Sequence, residues 1–292
     1  GRGVFAMRFA PVLHELGTDE QKQKYLLPMV AGELQGASAF SEPQAAGDLA
    51  GIKTTIEKHN DGWVINGNKC WISYAKRADF ILVLTRLKGT ERHDGLTWVI
   101  VEKGTPGCTI GREQKMLHGQ STYEVFFENC VVSETQLLGG PGQGWGAGTS
   151  FLYTGRLGIA ARSLGIADRC LDLAIDYAKQ RHTFGKPLSS RQAVQWMIAD
   201  SATELHATRL MVYDAAWRAQ QGENVVQQTA MVKSYATEMV SRVVDRAVQI
   251  HGAAGLSNET ILERCYRDVR PMRIYEGSSE AMRSVVARNL LR

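Results

Sequence analysis

An α+β architecture follows from three observations: a helical opening, a central third patterned with period two, and a final half patterned with period 3.6. The expected fold is an antiparallel β-barrel or sandwich domain followed by a C-terminal helical bundle, with a short helical remnant in front. The corresponding segments are residues 1–36, 37–138 and 139–292.

The opening segment places Val12, Leu13 and Leu16 on one helix face, breaks at Gly17-Thr18-Asp19, and resumes as a helix from Gln21 to Val30. From Gly36 to Leu138 the pattern is that of strands. Gly51–His59 alternates around Ile52, Thr54 and Ile56. Asp61-Gly62 and Asn66-Gly67 read as tight turns flanking a short strand, Trp63-Val64-Ile65. Lys69–Tyr74, Asp79–Thr85, Leu96–Glu102, Cys108–Arg112 and Tyr123–Val132 follow as further strands, and the run Phe80–Leu84 reads as buried.

Gly139–Ala147 contains a loose G-x-G-x-x-A match. A dinucleotide loop needs a βαβ unit, and no second strand follows here, so the segment reads as a flexible junction between sheet and bundle. Beyond it, residues 191–220 space Val194, Met197, Ile198, Leu205, Val212 and Ala216 at helical steps. Residues 225–250 do the same with Val225, Val232, Ala236, Met239, Val240, Val243, Val244 and Ala247. Val226, Ala230 and Met231 lie off that stripe, which predicts burial on several sides.

Composition narrows the function. With 44% apolar residues among 292, the chain can build sizeable cores; a dispersed net charge of +4 carries no basic run of the nucleic-acid-binding kind. Five scattered cysteines (Cys70, Cys108, Cys130, Cys170, Cys265) form no C-x-x-C pair, which speaks against disulfides and zinc and for a reducing compartment. That compartment would be the cytoplasm in a bacterium or the mitochondrial matrix in a eukaryote. Seven scattered histidines offer no metal constellation, and no apolar stretch is long enough for a membrane span.

One carboxylate is chemically conspicuous. Glu276 lies within Arg273-Ile274-Tyr275-Glu276-Gly277-Ser278-Ser279, just before a terminal amphipathic segment. Glycine beside an acid at a helix start allows close approach of a ligand, with backbone N–H groups facing the same spot. Enclosure disfavours a carboxylate's charged form and moves it toward the range of a general base. The alternative is an acid that only complements the helix dipole.

Three segments complete the pattern. The first is Ser41-Glu42-Pro43-Gln44-Ala45-Ala46-Gly47-Asp48, followed by Gly67-Asn68-Lys69-Cys70-Trp71-Ile72-Ser73. The second is Tyr177-Ala178-Lys179-Gln180-Arg181-His182-Thr183-Phe184-Gly185-Lys186-Pro187-Leu188, with Gln192 beyond. The third is Gln249-Ile250-His251-Gly252-Ala253-Ala254-Gly255, then Arg267-Asp268, then Ile274–Glu280. In this order they closely resemble the acyl-CoA dehydrogenases, over essentially the whole chain.

The resemblance implies FAD held between sheet domain and bundle, and oxidation of an acyl-CoA thioester to the trans-2-enoyl-CoA. It places Phe40, Ser41, Trp71, Ile72 and Ser73 at the flavin wall, with the two serine hydroxyls as hydrogen-bond partners and Trp71 against the ring. It assigns Arg181 and Phe184 to the FAD diphosphate and adenine of a neighbouring subunit, a contact that suits a guanidinium fork. Gln192, Gln249, Gly252, Ala253, Ser278 and Glu280 fall on further FAD positions. Glu276 falls on the base that removes the α-proton while a β-hydride leaves for the flavin. The thioester carbonyl is polarised in the family by the base's own N–H and a flavin ribityl hydroxyl. Gly47, Arg156 and Gly277 fall on the substrate side; for Arg156 a structural salt bridge is the alternative. Expected partners are the acyl-CoA, an electron-transfer flavoprotein as electron acceptor, and copies of the chain in a homotetramer.

Four positions depart from the pattern. Gly47 stands where many members have a serine, Ala253 replaces a second glycine, and Glu280 replaces a glutamine. Gly155 occupies the place where isovaleryl- and long-chain-type members carry an alternative base. Residues 1–36 resemble only the last helices of the family's N-terminal domain, and Gly1-Arg2-Gly3 reads as an interior point of a longer chain. On that reading the chain keeps most FAD contacts and lacks part of the acyl pocket. Two other readings stay open: a same-fold oxidase or flavin monooxygenase, and a non-catalytic oligomeric scaffold.

Overall fold

The structure, a computed structural model, describes residues 3–291, and side chains for 10–146 and 153–291. Two compact units divide at Leu152/Tyr153. Among the described residues, no helix is long and apolar enough to cross a membrane.

The first unit opens with α1 (Gly3–Leu16). Thr18 then caps α2 (Asp19–Gln21) reciprocally: its hydroxyl accepts from the Gln21 N–H, and Gln21 Oε1 accepts from the Thr18 N–H. A π-helical turn, Lys22–Leu26, leads into α3 (Leu27–Ala31), which stops at Gly32 in the left-handed region. Gln21 is buried because its amide donates to the carbonyls of Thr135 and Leu137, at 2.8 and 2.7 Å.

The strands are β1 (Gly36–Ala39), β2 (Thr55–His59), β3 (Gly62–Ser73), β4 (Phe80–Leu87), β5 (Leu96–Glu102), β6 (Cys108–Lys115), β7 (Ser121–Ser133) and β8 (Leu137–Leu138). They form one sheet in the order β6-β7-β3-β2-β4-β5-β8, with β1 also on β4. The path is open, so this is no closed barrel. Two pairings, β1 with β4 and β2 with β4, are parallel in an otherwise antiparallel sheet. The buried run in β4 follows from having both faces covered. Phe80, Leu82 and Leu84 join Val12, Leu13, Tyr25 and Met29 from the helices, while Ile81 and Val83 join Ile56, Ile65, Val99 and Phe127.

Asn66-Gly67 is a β-bulge rather than a second turn. Strand β3 runs unbroken from Gly62 to Ser73, with a register shift between Ile65 and Gly67 against β7. Gly67, at φ +143°, lies against Thr54, where a Cβ would come within 2.7 Å of the Thr54 Cα. The Gly139–Ala147 junction is also pinned on its described side. The Gly139 N–H donates to Leu16 O, the Gly142 N–H to Thr97 Oγ1, and Trp98 Nε1 to Gly144 O.

Buried cations hold the loops of this unit. Arg86 donates to the carbonyls of Ala50, Ile52, Arg92 and Asp94. Lys69, fully buried on β3, donates to Glu42 Oε1 at 2.8 Å and to Phe40 O at 3.1 Å. Glu42 also accepts from the backbone N–H groups of Lys53 and Thr54. Burial pulls the Lys69 ammonium down to about 8 against the opposing pull of Glu42. Burial alone would raise Glu42, but Lys69 and the backbone donors hold it below the usual carboxylate range.

In the second unit, α4 (Gly144–Gln180) arrives from the junction and ends at a two-stranded hairpin, β9 (His182–Thr183) and β10 (Lys186–Pro187). That hairpin falls between the stretches that the sequence patterns as helix. The chain continues through α5 (Gln192–Gln220), α6 (Val226–His251), α7 (Ala253–Leu256), α8 (Ile261–Val269) and α9 (Ser279–Leu290). Ala160, Leu164, Ala167, Leu171, Ala174 and Ala178 form the buried seam of α4; small residues recur, which suits close helix approach. Leu205 and Val212 face it from α5, and Ala236, Val240, Val243 and Ala247 from α6. At the two stripes' edges the sequence pattern misses by a residue. Ala215 rather than Ala216 is buried, and Met231 is exposed.

The Glu42–Lys69 pair gives a stability test. Glu42→Gln leaves a buried ammonium without its anion, which should cost about 3–5 kcal/mol. Glu42→Gln/Lys69→Met, with neither charge of the pair left, should recover a large part of that loss. Urea unfolding followed by circular dichroism measures both, and a single variant within about 1 kcal/mol of wild type would contradict the pairing.

Candidate functional site

Within the first unit, β1 and β3 end side by side. The Cys70 N–H donates to Ser41 O at 2.9 Å, and Lys69 holds the Phe40 carbonyl, so Phe40 and Ser41 adjoin Trp71, Ile72 and Ser73. Phe40 is fixed edge-on to Trp98, with centroids 4.9 Å apart. Trp71 has φ +62°, a costly conformation for a bulky residue, and its ring is half exposed. Ile72 is buried in the sheet core, so its side chain serves packing and only its backbone borders this surface. Gly47 is exposed beyond the Glu42–Ala45 turn, with open space where a side chain would stand.

Within the second unit, Glu276 sits in the turn between Arg273 and α9, with φ +56°, followed by Gly277 at +95°. Two consecutive left-handed residues swing the Glu276 carboxylate over α4. A Cβ on Gly155 would lie 3.1 Å from Glu276 Oε2. A side chain at Gly277 would be strained by the +95° φ, and a Cβ there would also push on the Met282 methyl, 2.4 Å away. Arg156 is buried beside the turn, its Nε at a long 3.5 Å from Glu276 O. Burial lowers the Arg156 guanidinium from its usual range. Ser278 caps α9 by accepting from the Ala281 N–H. Glu280 is exposed in the first turn of α9, where backbone N–H groups hold its carboxyl below the usual range.

Two groups around this turn, Lys233 and Glu238, have no counterpart in the sequence reading. The Lys233 ammonium on α6 donates to Gly277 O. Glu238, further along α6, accepts from Ser279 Oγ at 2.8 Å, and its carboxylate lies 2.9 Å from Arg273 Nε as an ion pair without hydrogen-bond alignment. Ser279 itself is almost fully buried. A lysine on the apolar face of a long helix is the signal that could have found the first of them.

The remaining residues lie elsewhere in the same unit. Arg181 is exposed just past α4, about 36 Å of helix beyond Arg156 at 1.5 Å per residue. Phe184 stands at the tip of the β9–β10 hairpin at φ +52°, 97% exposed, with the Arg191 guanidinium 5.8 Å from its ring centre. Gln192 begins α5 and is exposed. Gln249 on α6, the cap Gly252 and Ala253 at the start of α7 form an exposed corner, where Tyr177 stacks on His251 with centroids 4.2 Å apart. Gly252 adopts φ +60° and faces open space. The geometry therefore gathers these residues into a second cluster, remote along α4 from Glu276.

Comparison with known proteins identifies the family. Residues 37–130 match the family described as "Acyl-CoA dehydrogenase, middle domain", and 142–291 match "Acyl-CoA dehydrogenase, C-terminal domain". A 3-(aryl)acrylate reductase of Clostridium sporogenes is 39% identical over 95% of this chain and 74% of its own. The structure of butyryl-CoA dehydrogenase from Megasphaera elsdenii superposes with a TM-score of 0.94 at 35% identity, covering 99% of this chain and 76% of its own. The FAD complex of PigA also reaches 0.94, at 28% identity over 98% and 76%. The chain belongs to the acyl-CoA dehydrogenase family.

Proposed function

We propose that the protein is an FAD-dependent dehydrogenase of acyl-CoA thioesters, with Glu276 as the base that removes the α-proton. The observation that carries this reading is the Glu276 carboxylate, turned over Gly155 by two left-handed residues and flanked by buried Arg156. A base needs reach and a fixed aim before it needs a tuned pKa. Glycine at 155 leaves room for a substrate carbon beside the carboxylate oxygen, and glycine at 277 lets the backbone come close.

The residue types also fit the cofactor. In the first unit, the half-exposed Trp71 ring offers a flat apolar face, with the Ser41 and Ser73 hydroxyls on adjoining backbone. In the second, exposed Arg181 and Gln192 offer donors suited to phosphate, and Gly252 leaves its backbone open to approach. FAD, when bound, would supply the acceptor for the β-hydrogen and its bonding electrons. The chain's own work is to orient the thioester, hold the proton taken from the α-carbon on Glu276, and offer the Glu276 N–H to the thioester carbonyl. An electron-transfer flavoprotein would then accept the electrons, as the family membership suggests. A second reading runs the same residues in reverse, with protonated Glu276 returning the proton to the α-carbon; the reductase among the relatives favours it.

Glu276→Gln should keep FAD and bind acyl-CoA yet reduce the flavin about 10²–10⁴-fold more slowly. Anaerobic bleaching of the flavin absorbance by an acyl-CoA series measures this. Near-normal bleaching would place the base elsewhere.

The distance along α4 between Glu276's surroundings and the Arg181–Phe184 cluster supports a homo-oligomer in which one chain's cluster completes another's FAD site. Arg181→Ala should then weaken FAD retention by about 10–100-fold, the worth of a hydrogen bond to a charged group. Equilibrium dialysis and light scattering test it together; a monomer that retains FAD normally would refute the assembly.

A further inference from the structure

Lys233 is buried completely among apolar residues of α6, next to Val232 and one turn before Ala236 and Thr237. An ammonium in such a place is costly unless it is hydrogen-bonded and balanced by charge. Its ammonium donates to the carbonyl of Gly277, the second of the two left-handed residues. The charged groups near it are Arg156, which opposes its charge, and Glu238 and Glu280, which support it. Glu238 in turn engages Arg273 before the turn and Ser279 after it. Helix α6 thus grips the segment 273–279 at both ends and in the middle.

That grip has a conformational purpose. A non-glycine residue at φ +56° is strained and persists only where its surroundings over-determine it. Swinging the Gly277 peptide the other way would take its carbonyl from Lys233 and strand a buried cation. The same swing would carry the Glu276 carboxylate off Gly155. We infer that Lys233 is a positioning residue for Glu276, its ammonium locking the Gly277 carbonyl and thereby the turn that aims the carboxylate. The inference rests on the reading of Glu276 as the base.

The test compares FAD-loaded wild type, Lys233→Met, Lys233→Arg and Glu276→Gln by two readouts. The first is amide hydrogen exchange of the peptide covering 273–282. The second is α-proton exchange in D₂O of an acyl-CoA thioester with sulfur at the β-position, which has no β-hydrogen to lose and so reports the base alone. Lys233→Met should raise amide exchange in 273–282 at least about 10-fold while α5 stays protected. It should slow α-proton exchange by about 10²-fold with thioester affinity unchanged, and Lys233→Arg should restore much of both. Wild-type amide protection or wild-type α-proton exchange in Lys233→Met overturns the inference. So does protection lost throughout the second unit with Lys233→Arg no better, since that pattern means general packing. Undiminished α-proton exchange in Glu276→Gln instead removes the base assignment, and the amide readout still judges the lock on the turn.

Discussion

An ammonium buried without partners is among the least tolerable things a fold can contain, and among the described residues each unit buries one that its loops must satisfy. Lys69 and Lys233 have no measurable exposure, and burial pulls each down to about 8. Neither sits in the core as filler. Lys69 holds the Phe40 carbonyl and the Glu42 carboxylate; Lys233 holds the Gly277 carbonyl. Each can satisfy its ammonium only if one irregular segment takes one shape. The cost of burial therefore becomes a constraint on a loop, and both loops carry proposed site residues. Arg86 does the same for two loops, with two carbonyl contacts to Ala50 and Ile52 and two to Arg92 and Asp94.

This explains how strained backbone survives in these segments. Trp71 and Glu276 are bulky residues at positive φ, a state that glycine would enter freely. Each lies within two residues of a carbonyl or strand position fixed by a buried lysine: Trp71 two after Lys69 on β3, Glu276 one before Gly277. Local strain of a few kcal/mol is small beside the several kcal/mol of leaving a buried charge unpaired. The buried charge decides the backbone, and the side chains of Trp71 and Glu276 follow. Rigidity of this kind suits chemistry that depends on reach within a fraction of an ångström.

Periodicity made the architecture legible because sheet and bundle bury different stripes. The strand at Leu96–Glu102 and the 3.6-residue stripe of α6 stand in the structure where the sequence puts them. Asn66-Gly67 misled because a bulge and a hairpin turn both ask for a residue free to leave the ordinary strand region, and only the continuing pairing with β7 separates them. The barrel alternative failed on closure, which depends on long-range pairing that no local pattern encodes. For the site, Glu276 was visible through its Gly277 neighbour and its motif. Lys233 and Glu238 were not, because a charged residue in a helix is usually solvated and its burial depends on which elements pack around it. The Glu42–Lys69 bond joins residues 27 positions apart, and no local pattern signals that two such charges will meet in a core.

The space around Gly155 carries the last consequence. The family resemblance puts an acid there in some members and glycine in this chain. A Cβ at 155 would already stand 3.1 Å from Glu276 Oε2, so a carboxylate at 155 would compete for the volume the Glu276 carboxylate fills. Two carboxylates at that range cannot both ionise freely; one is driven strongly upward and ceases to act as a base at neutral pH. A second acid at 155 would therefore crowd and perturb Glu276 rather than simply duplicate it. The choice between α4 and the turn before α9 then fixes the direction from which the proton is drawn. With glycine at 155, that volume is left to the Glu276 carboxylate, which is what the role proposed for Glu276 requires.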